Sequence, residues 1–400
     1  MNKLRLQVSF LCANTQARCV AIALCCASCV FMGQALTVHF SYGGNWSGLF
    51  CTGSEYPPPP VLAQAEDIHR FQDKSASGYD GQFYHYVAHD PFFKRGFQGS
   101  VDAPALRYSR ILVPGLAYLL ALGRDTAIDG AYRFVVIAFI FAGAYWVARL
   151  AVISRRSPAW GLLFVAAPAV LISADRLTVD VALAACCAGY ALYAREESHH
   201  KLFAVLAAAA LARETGLLLV AGYVLYLAGR REIKAATMIS TAVIPSAGWY
   251  LFVRAHTHPN IPSAFSLVPL DGLVWRILNP APYPFSMSPA VIYPVLDLLA
   301  LAGIAGALAW AGHRALRHTW TPLAIATYLF AILMIFLPRG DLWSEVYAFG
   351  RSLTPLLLLA ALDGFMAESV MPVFCLLAAG PRTGLEMLVQ IMNVLRGLIR

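Results

Sequence analysis

The stretch AYRFVVIAFIFAGAYWVARLAVI, residues 131–153, decides the fold class of this chain. An α-helix rises about 1.5 Å per residue, so a helix of this length crosses the roughly 30 Å hydrocarbon core of a bilayer. Apolar runs of similar character recur along the sequence. They lie at about 19–36, 160–174, 177–194, 202–212, 215–229, 236–254, 290–311, 320–338 and 352–370. This repetition predicts an all-α protein, a polytopic bundle of transmembrane helices.

The composition agrees with a membrane protein. Of the 400 residues, 59% are hydrophobic and only 13% are charged, and the mean hydropathy is +0.62. Soluble domains carry about 25% charged residues, so this chain has too few to coat a water-exposed surface. The net charge of +8 comes from small basic groups between apolar runs, which excludes a continuous nucleic-acid-binding stripe. Most of the nine cysteines lie in or beside apolar runs, which favours packed thiols over a disulfide framework.

The distribution of polar residues divides the chain into four parts. Residues 1–38 hold the first apolar run, which we interpret as an uncleaved transmembrane helix. Residues 39–130 form the longest polar segment, and within it the apolar piece 111–122 is too short to cross a bilayer, which predicts juxtamembrane helices in a large first loop. Residues 131–370 form the multi-span bundle. Apolar residues recur at helical spacing near the C-terminus, so 371–400 is predicted to form a C-terminal interfacial helix.

Basic residues in the connections predict the orientation of the bundle. If 111–122 does not cross, the basic clusters all fall on the side of the N-terminus. They lie at 155–156, 195–201, 230–234 and 314–317. By the positive-inside rule the N-terminus is then cytoplasmic, and the loop 39–130 lies on the other side of the membrane. The unusual ionisable residues collect on that other side, and such residues at membrane level are typical of functional sites.

The sequence GYDGQFYHYVAHDP, residues 78–91, is the most distinctive polar segment of the first loop. Glycines flank the pair Tyr79 and Asp80, and a short amphipathic helix is predicted to follow. A carboxylate at the start of that helix can accept a proton from a hydroxyl group, or it can bind a divalent cation such as Mg²⁺ or Mn²⁺. The alternative is that Asp80 only caps the helix.

A second segment of the first loop, DAPALRYSRILVP at 102–114, carries paired arginines. Arg107 and Arg110 are about one helical turn apart, directly before the apolar piece. Two guanidinium groups at the membrane surface suit the phosphate of a lipid. The alternative is that both arginines only extend their charges to the interface.

Three later segments add ionisable residues to the same side of the membrane. Asp175 and Asp180 flank the sequence RLTV, Arg213 and Glu214 are adjacent, and Arg351 begins the last strong span. These residues are candidates for closing a site around the first loop. The alternatives are a loop with an internal salt bridge, a buried ion pair and a membrane anchor, respectively.

The two first-loop segments resemble the first-loop signature of a bacterial group within the GT-C superfamily of membrane glycosyltransferases. The matching residues are YDGQFY at 79–84 with Asp90-Pro91, and RYSRILVP at 107–114. DRLTVD at 175–180 and LARET at 211–215 are similar to later motifs of that group. The resemblance covers most of the chain. The first loop departs from the superfamily in having no Asp-x-Asp pair.

The resemblance implies a donor sugar carried on a polyprenyl phosphate and a location in the bacterial inner membrane. It implies that Asp80 is the catalytic base or a metal ligand, and that Asp175 or Asp180 supplies the second catalytic carboxylate. Further residues of the matching segments are implied to bind substrate. They are Tyr79, Gln82, Tyr84, Asp102, Arg107, Arg110, Arg213, Glu214 and Arg351.

We therefore predict an inverting glycosyltransferase that acts on a glycan or lipid acceptor of the cell envelope, outside the cytoplasm. A transporter or lipid flippase would also explain outward-facing ionisable residues. It predicts polar residues deep within several spans and often an internal repeat, and neither pattern is found in the sequence. A third alternative is a non-catalytic membrane protein of an envelope-assembly complex.

Overall fold

The computed structural model describes residues 2–65, 67–71, 77–258, 265–283 and 288–399. The α-helices are α1 Asn2–Ser41, α2 Pro60–Ala65, α3 Asp80–His89, α4 Pro104–Ser109, α5 Leu112–Leu120, α6 Asp125–Ile153, α7 Pro168–Arg176, α8 Asp180–Arg195, α9 His199–Ala212, α10 Leu217–Gly229, α11 Ile233–Ser240, α12 Ile244–His256, α13 Asp271–Leu278, α14 Ser288–Leu316, α15 Pro322–Ile335, α16 Val346–Met366, α17 Met371–Ala378, α18 Gly380–Glu386 and α19 Leu388–Ile399. Short 3₁₀ helices span Trp46–Phe50, Phe97–Ser100, Pro158–Ala166, Glu214–Gly216, Thr241–Val243 and Asp341–Trp343. The strands β1 Thr52–Gly53 and β2 Arg70–Phe71 form one parallel pair.

The prediction of an all-α fold is confirmed. Among the described residues, five helical stretches are long and apolar enough to cross a membrane, and there are up to seven if each of two bent pairs is one span. The five stretches are Thr15–Ser41, Asp125–Ile153, Ile233–His256, Ile292–Leu316 and Val346–Met366. These lengths and compositions agree with an integral membrane protein.

Helix α16 lies at the centre of the bundle. In the 18-residue apolar part of α16, 83% of the residues are buried inside the protein. In the corresponding part of Thr15–Ser41, only 28% are buried. Helix α16 packs against α8, α14, α15 and α17. A charge carried on α16 is therefore surrounded by protein, and it needs a partner from a neighbouring helix.

The predicted run 160–174 is not one straight helix. A 3₁₀ helix, Pro158–Ala166, meets α7 at a bend of 63°. Pro168 begins α7, and proline lacks the N–H that would continue the preceding turn. The bend aims the C-terminus of α7 at the first-loop segment, where Arg176 contacts Cys51.

The first-loop segment has a small core of its own. Phe83 and Val87 of α3 pack with Phe97, Tyr108 and Val253, and all five are buried. The predicted juxtamembrane element is the nine-residue helix α5, which packs against α3 and α6. This core holds α3 against the bundle, since Val253 belongs to α12.

The C-terminal region differs from the single interfacial helix predicted from the sequence. The chain bends by 60° between α18 and α19. Arg382 of α18 is 1% exposed and binds Asp297 of α14, so α18 is fixed within the bundle. The predicted amphipathic pattern therefore belongs to α19 alone. In α19, Gly397 lies against Phe40 near the end of α1.

The long helices separate two charged ends of the bundle. Helix α16 carries Arg351 near its start and Asp363 near its finish, about 18 Å apart at 1.5 Å per residue. Helix α8 likewise runs from Asp180 to Arg195. We call the end that contains Asp80, Asp180 and Arg351 the Asp80 end.

Candidate functional site

Two glycines place Asp80 at the start of α3. Gly78 has a φ of +69°, in the left-handed region that favours glycine. A Cβ at Gly81 would lie 2.1 Å from the carbonyl oxygen of Arg176, so only glycine allows the first turn of α3 to approach the end of α7 this closely. The glycines noted around Asp80 in the sequence therefore fix its backbone.

Asp80 is not the capping residue of α3. The N-cap position is Tyr79, and Asp80 is the first helical residue. The Asp80 carboxylate instead faces two arginines. One of its oxygens lies 2.7 Å from Nη1 of Arg107, and the same oxygen lies 2.5 Å from Nη2 of Arg351. The capping alternative is therefore wrong, although an acidic residue in the first turn still suits the helix dipole.

These contacts decide the charge state of Asp80. Burial by itself raises the pKa of this carboxyl group, but the guanidinium groups of Arg351 and Arg107 outweigh burial and hold the pKa well below its usual range. Asp80 is therefore ionised at neutral pH. Its negative charge is strongly stabilised, which makes it a weak proton acceptor in this state.

Arg107 and Arg110 meet at one tyrosine hydroxyl group. Arg110 donates to the Tyr84 oxygen at 3.1 Å, and Arg107 lies 3.5 Å from the same oxygen. Arg107 also binds Asp102 through two hydrogen bonds of 2.9 and 2.7 Å. Arg110 binds Glu214 through two hydrogen bonds of 3.0 and 2.7 Å. The paired arginines thus face inward, so they do not merely extend to the membrane interface.

The remaining pairs join α8, the residue that follows α9, and α16. Asp180, which is 3% exposed, contacts Arg213 directly. Its other oxygen lies 3.8 Å from Arg351. Arg213 and Glu214 are neighbours in sequence, yet they bind different partners. The ion pairing expected for this dipeptide is therefore present, with Asp180 and Arg110 as the partners, and the Arg213–Asp180 pair is the one that is buried on both sides.

Together these side chains form one network, which we call the charged cluster. Its members are Asp80, Asp102, Asp180, Glu214, Arg107, Arg110, Arg213 and Arg351. The four carboxylates and four guanidiniums balance in charge, which buried ions require. Glu214 has the most exposed side chain, at 42%, whereas the arginines are between 7% and 14% exposed. The cluster is therefore most accessible beside Glu214.

The predicted site residues outside the cluster have other partners. Gln82 binds the backbone of Gly53 and Ser77, so its side chain fixes the loop around α3. Asp175 accepts a hydrogen bond of 2.9 Å from Tyr347 and pairs with Arg176. The ring of Tyr79 packs edge-on against Tyr347 and lies under the guanidinium of Arg351. Asp175 and Tyr79 thus border the cluster, and Gln82 supports its backbone.

Two structural features of this region were not predicted from the sequence. Tyr347, which links Asp175 to Tyr79, stands at the start of an apolar helix without a motif around it. His85 and His89 on α3 meet Asp129 of α6, and these three side chains have the spacing of metal ligands. The spacing of the two histidines by one helical turn is a signal that sequence reading could have used.

Asp80 is a poor metal ligand in this arrangement. Both of its oxygens already contact guanidinium groups, so a divalent cation there would be repelled by Arg107 and Arg351. A cavity of about 310 Å³ lies at the opposite end of the bundle, between Arg195, Arg314 and Asp363. It does not reach the charged cluster, so it adds no binding space to this site.

The chain was compared with protein-family models, with curated proteins and with solved structures. No family model, curated protein or solved structure matches it. The resemblance to the GT-C superfamily therefore remains a prediction that rests on the sequence motifs.

Proposed function

We propose that this chain is an integral membrane glycosyltransferase that takes a sugar from a polyprenyl-phosphate carrier and transfers it to a glycan or lipid acceptor of the cell envelope. The observation that carries the proposal is the charged cluster, in which four arginines from three separate parts of the chain converge at one end of an apolar bundle. Guanidinium groups bind phosphate oxygens in pairs, and a lipid phosphate lies at the membrane surface.

In this proposal the Asp80 end lies on the non-cytoplasmic side of a bacterial inner membrane and the N-terminus lies in the cytoplasm, and the positive-inside pattern of the connections supports that orientation. The first loop would then cover the cluster from outside. The lipid chain of the donor would lie along α5, whose exposed apolar residues include Leu119 and Leu120. A donor bound this way keeps its tail in lipid and its phosphate beside Arg110.

Arg110 is the arginine best placed to receive the phosphate. Its carboxylate partner Glu214 is the most exposed member of the cluster, so Glu214 can turn toward water when a phosphate arrives. Arg107 and Arg351 instead share the carboxylate of Asp80, whose side chain is only 14% exposed. The phosphate would therefore replace the Glu214 carboxylate as the partner of Arg110. It would not bind an arginine that lacks a partner.

The proposed reaction is a direct displacement that inverts the anomeric carbon. The acceptor hydroxyl oxygen attacks that carbon while the bond from the carbon to the phosphate oxygen breaks. The hydroxyl proton passes to Asp80, and the electron pair of the broken bond remains on the phosphate. Arg107, Arg110 and Arg351 would stabilise the growing negative charge, which is the usual role of fixed donors in such a transition state.

Phosphate binding would also prepare Asp80 for its role. Arg351 and Arg107 hold the pKa of Asp80 low, against the effect of burial. Arg110 acts on Asp80 in the same direction, so a phosphate that binds Arg110 and offsets its charge would raise the pKa of Asp80 and make the carboxylate a better base. Asp180, which holds Arg213 and lies near Arg351, would act as a positioning residue.

Binding of a polyprenyl phosphate to the purified protein tests the proposal. The variant Arg110→Gln/Glu214→Gln removes one ion pair and leaves the net charge unchanged. We expect its affinity to fall at least tenfold, because hydrogen bonds to charged groups contribute about 1.5–3 kcal/mol each. The matched control is Arg339→Gln/Asp271→Asn, which removes a single pair of 2.7 Å with an exposed arginine in a neighbouring connection. This control should bind like the wild type.

Sugar transfer is measured separately. Asp80→Asn should retain lipid binding and lose transfer, since the amide cannot accept the hydroxyl proton. A wild-type protein that binds the lipid but transfers no sugar would favour a flippase or an envelope-assembly role. Equal binding by the wild type and the Arg110→Gln/Glu214→Gln variant would exclude the charged cluster as the phosphate site.

A further inference from the structure

Helix α3 carries a second group of chemically reactive side chains, on the side facing α6. Successive residues of an α-helix are about 100° apart, so His85 and His89 lie about 140° and 180° around the helix from Asp80. His85 is fully buried and His89 is 2% exposed. Both meet Asp129, which belongs to the first turns of α6. The group is therefore separate from the charged cluster.

We infer that His85, His89 and Asp129 form a binding site for a divalent transition-metal ion, with Zn²⁺ as the ion that suits it best. Imidazole nitrogens and a carboxylate oxygen are common zinc ligands. Among the described residues, these three form the group of potential ligands whose donor atoms approach one another closely enough to share an ion. The inference is independent of the proposed glycosyltransferase activity.

The distances between the donor atoms fit one ion. Nε2 of His85 lies 2.7 Å from Oδ1 of Asp129 and 3.2 Å from Nε2 of His89, and Nε2 of His89 lies 3.8 Å from Oδ1 of Asp129. A tetrahedral ion with bonds of 2.0–2.1 Å needs separations of roughly 3.3 Å between its ligand atoms. The three separations lie on both sides of that value, so small side-chain movements suffice.

Hydrogen bonding directs the lone pair of His89 toward the same point. Nδ1 of His89 lies 2.8 Å from Oδ1 of Asp125, and a carboxylate there accepts a hydrogen bond from an N–H at Nδ1. Nε2 of His89 is then an acceptor without a proton. Nε2 of His89 and the Asp129 carboxylate are then two acceptors for the one hydrogen bond that Nε2–H of His85 can donate. A cation would satisfy both acceptors, and it would also bind Nε2 of His85 once the His85 proton is on Nδ1. The His89–Asp125 pair has the outer hydrogen bond that is typical of metal-bound histidines.

Access to the site is from the α6 side. The side chains of Asp129 and Asp125 are 24% and 30% exposed, so an ion can enter past these carboxylates. Three protein ligands leave a fourth position for water on that side. Nδ1 of His85 has no hydrogen-bond partner, and ligation through Nε2 would place a proton there, so we expect weaker binding than at a site whose ligands are all hydrogen-bonded.

A bound ion would fasten α3 to α6. The first turn of α3 carries Asp80, so the ion would stiffen the helix that presents the charged cluster without touching it. We therefore expect metal binding to raise the thermal stability of the protein.

The test uses the full-length protein in detergent after removal of metals with a chelator. Titration with Co²⁺ reports the ligand geometry through visible absorption, and Zn²⁺ should raise the melting temperature until one equivalent is bound. The variant His85→Gln/His89→Gln should lose both signals. The control His256→Gln/His258→Gln, altered at histidines in and just after the last turn of α12, should retain them.

Three results would overturn the inference. They are a wild-type protein that shows neither a tetrahedral Co²⁺ spectrum nor a Zn²⁺-dependent change in melting temperature, a double variant that still binds one equivalent, and a control that loses binding equally. The Co²⁺ spectrum of the wild type decides the question even if the double variant does not fold.

Discussion

Replacing Asp80 by asparagine should destabilise the protein, chiefly through Arg351. Arg107 keeps its two hydrogen bonds to Asp102 after the replacement. Among the described residues, the one acidic partner left to Arg351 is Asp180, which lies 3.8 Å away. Both side chains of the Asp80–Arg351 pair are 14% exposed, so the arginine would be left nearly buried with one distant partner.

The magnitude follows from the cost of breaking a buried pair. Removing one partner of such a pair costs about 3–5 kcal/mol, because an uncompensated charge remains in a poorly solvated place. The remaining Asp180 contact and the slight exposure favour the lower end, about 3 kcal/mol. The double variant Asp80→Asn/Arg351→Gln removes both charges. We expect a coupling energy of about 2 kcal/mol between the two positions.

The assay is an unfolding titration in mixed detergent micelles on the wild type, the two single variants and the double variant. Asp271→Asn is the matched control, because its partner Arg339 is 62% exposed. An exposed pair contributes about 0–1 kcal/mol, so this control should unfold nearly like the wild type. Single-variant effects that add within about 0.5 kcal/mol would refute the pairing of Asp80 with Arg351.

Three further predictions follow from the same site. Gly81→Ala should lower stability by at least about 1–3 kcal/mol, measured by the same titration, because its Cβ would meet the Arg176 carbonyl oxygen. The stability difference between the wild type and Asp80→Asn should stay constant from about pH 5 to pH 8 and shrink only below about pH 4, because the lowered pKa of Asp80 gives stability that is present above the ordinary Asp pKa and lost as pH falls toward the folded-state value. Glu214→Gln should bind a polyprenyl phosphate about tenfold more tightly, since Arg110 would lose its competing carboxylate.

Each of these predictions has its own control. Gly99→Ala should be nearly neutral, because a Cβ there meets no atom within 4 Å. Asp271→Asn serves as the comparison in the pH series. For Glu214→Gln, the exposed Glu232 provides the control variant Glu232→Gln, which should leave lipid affinity unchanged. Unchanged or weaker affinity in Glu214→Gln would show that the phosphate does not exchange with this carboxylate.

The sequence by itself determined the helical class and the approximate positions of the spans. Apolar runs such as 131–153 and 290–311 became the long helices α6 and α14, because a backbone in an apolar setting must satisfy its hydrogen bonds within the helix. Run length also distinguished the short helix α5 from the long spans. The bends within spans, such as the one at Pro168, could not be predicted from these runs. The hydropathy of a run depends on its composition and does not indicate the direction of the helix axis.

The sequence also determined which residue types collect at the Asp80 end. Asp80, Arg107 and Arg110 were identified from ionisable groups beside apolar runs, and the structure brings all three into one cluster. Only the tertiary structure decided their partners. Arg351 reaches Asp80 from a helix far along the chain, and Glu214 reaches Arg110 in the same way.

The physical reason is that periodicity encodes contacts within a helix, whereas ion pairs between helices depend on packing. His85 and His89 share a face of α3 by spacing alone, but Asp129 joins them only because α6 packs beside α3. Gln82 stands in the same motif as Asp80, yet its side chain holds backbone groups of the neighbouring loop. The residue types of this site are therefore set by the sequence, and their pairing is set by how the helices meet.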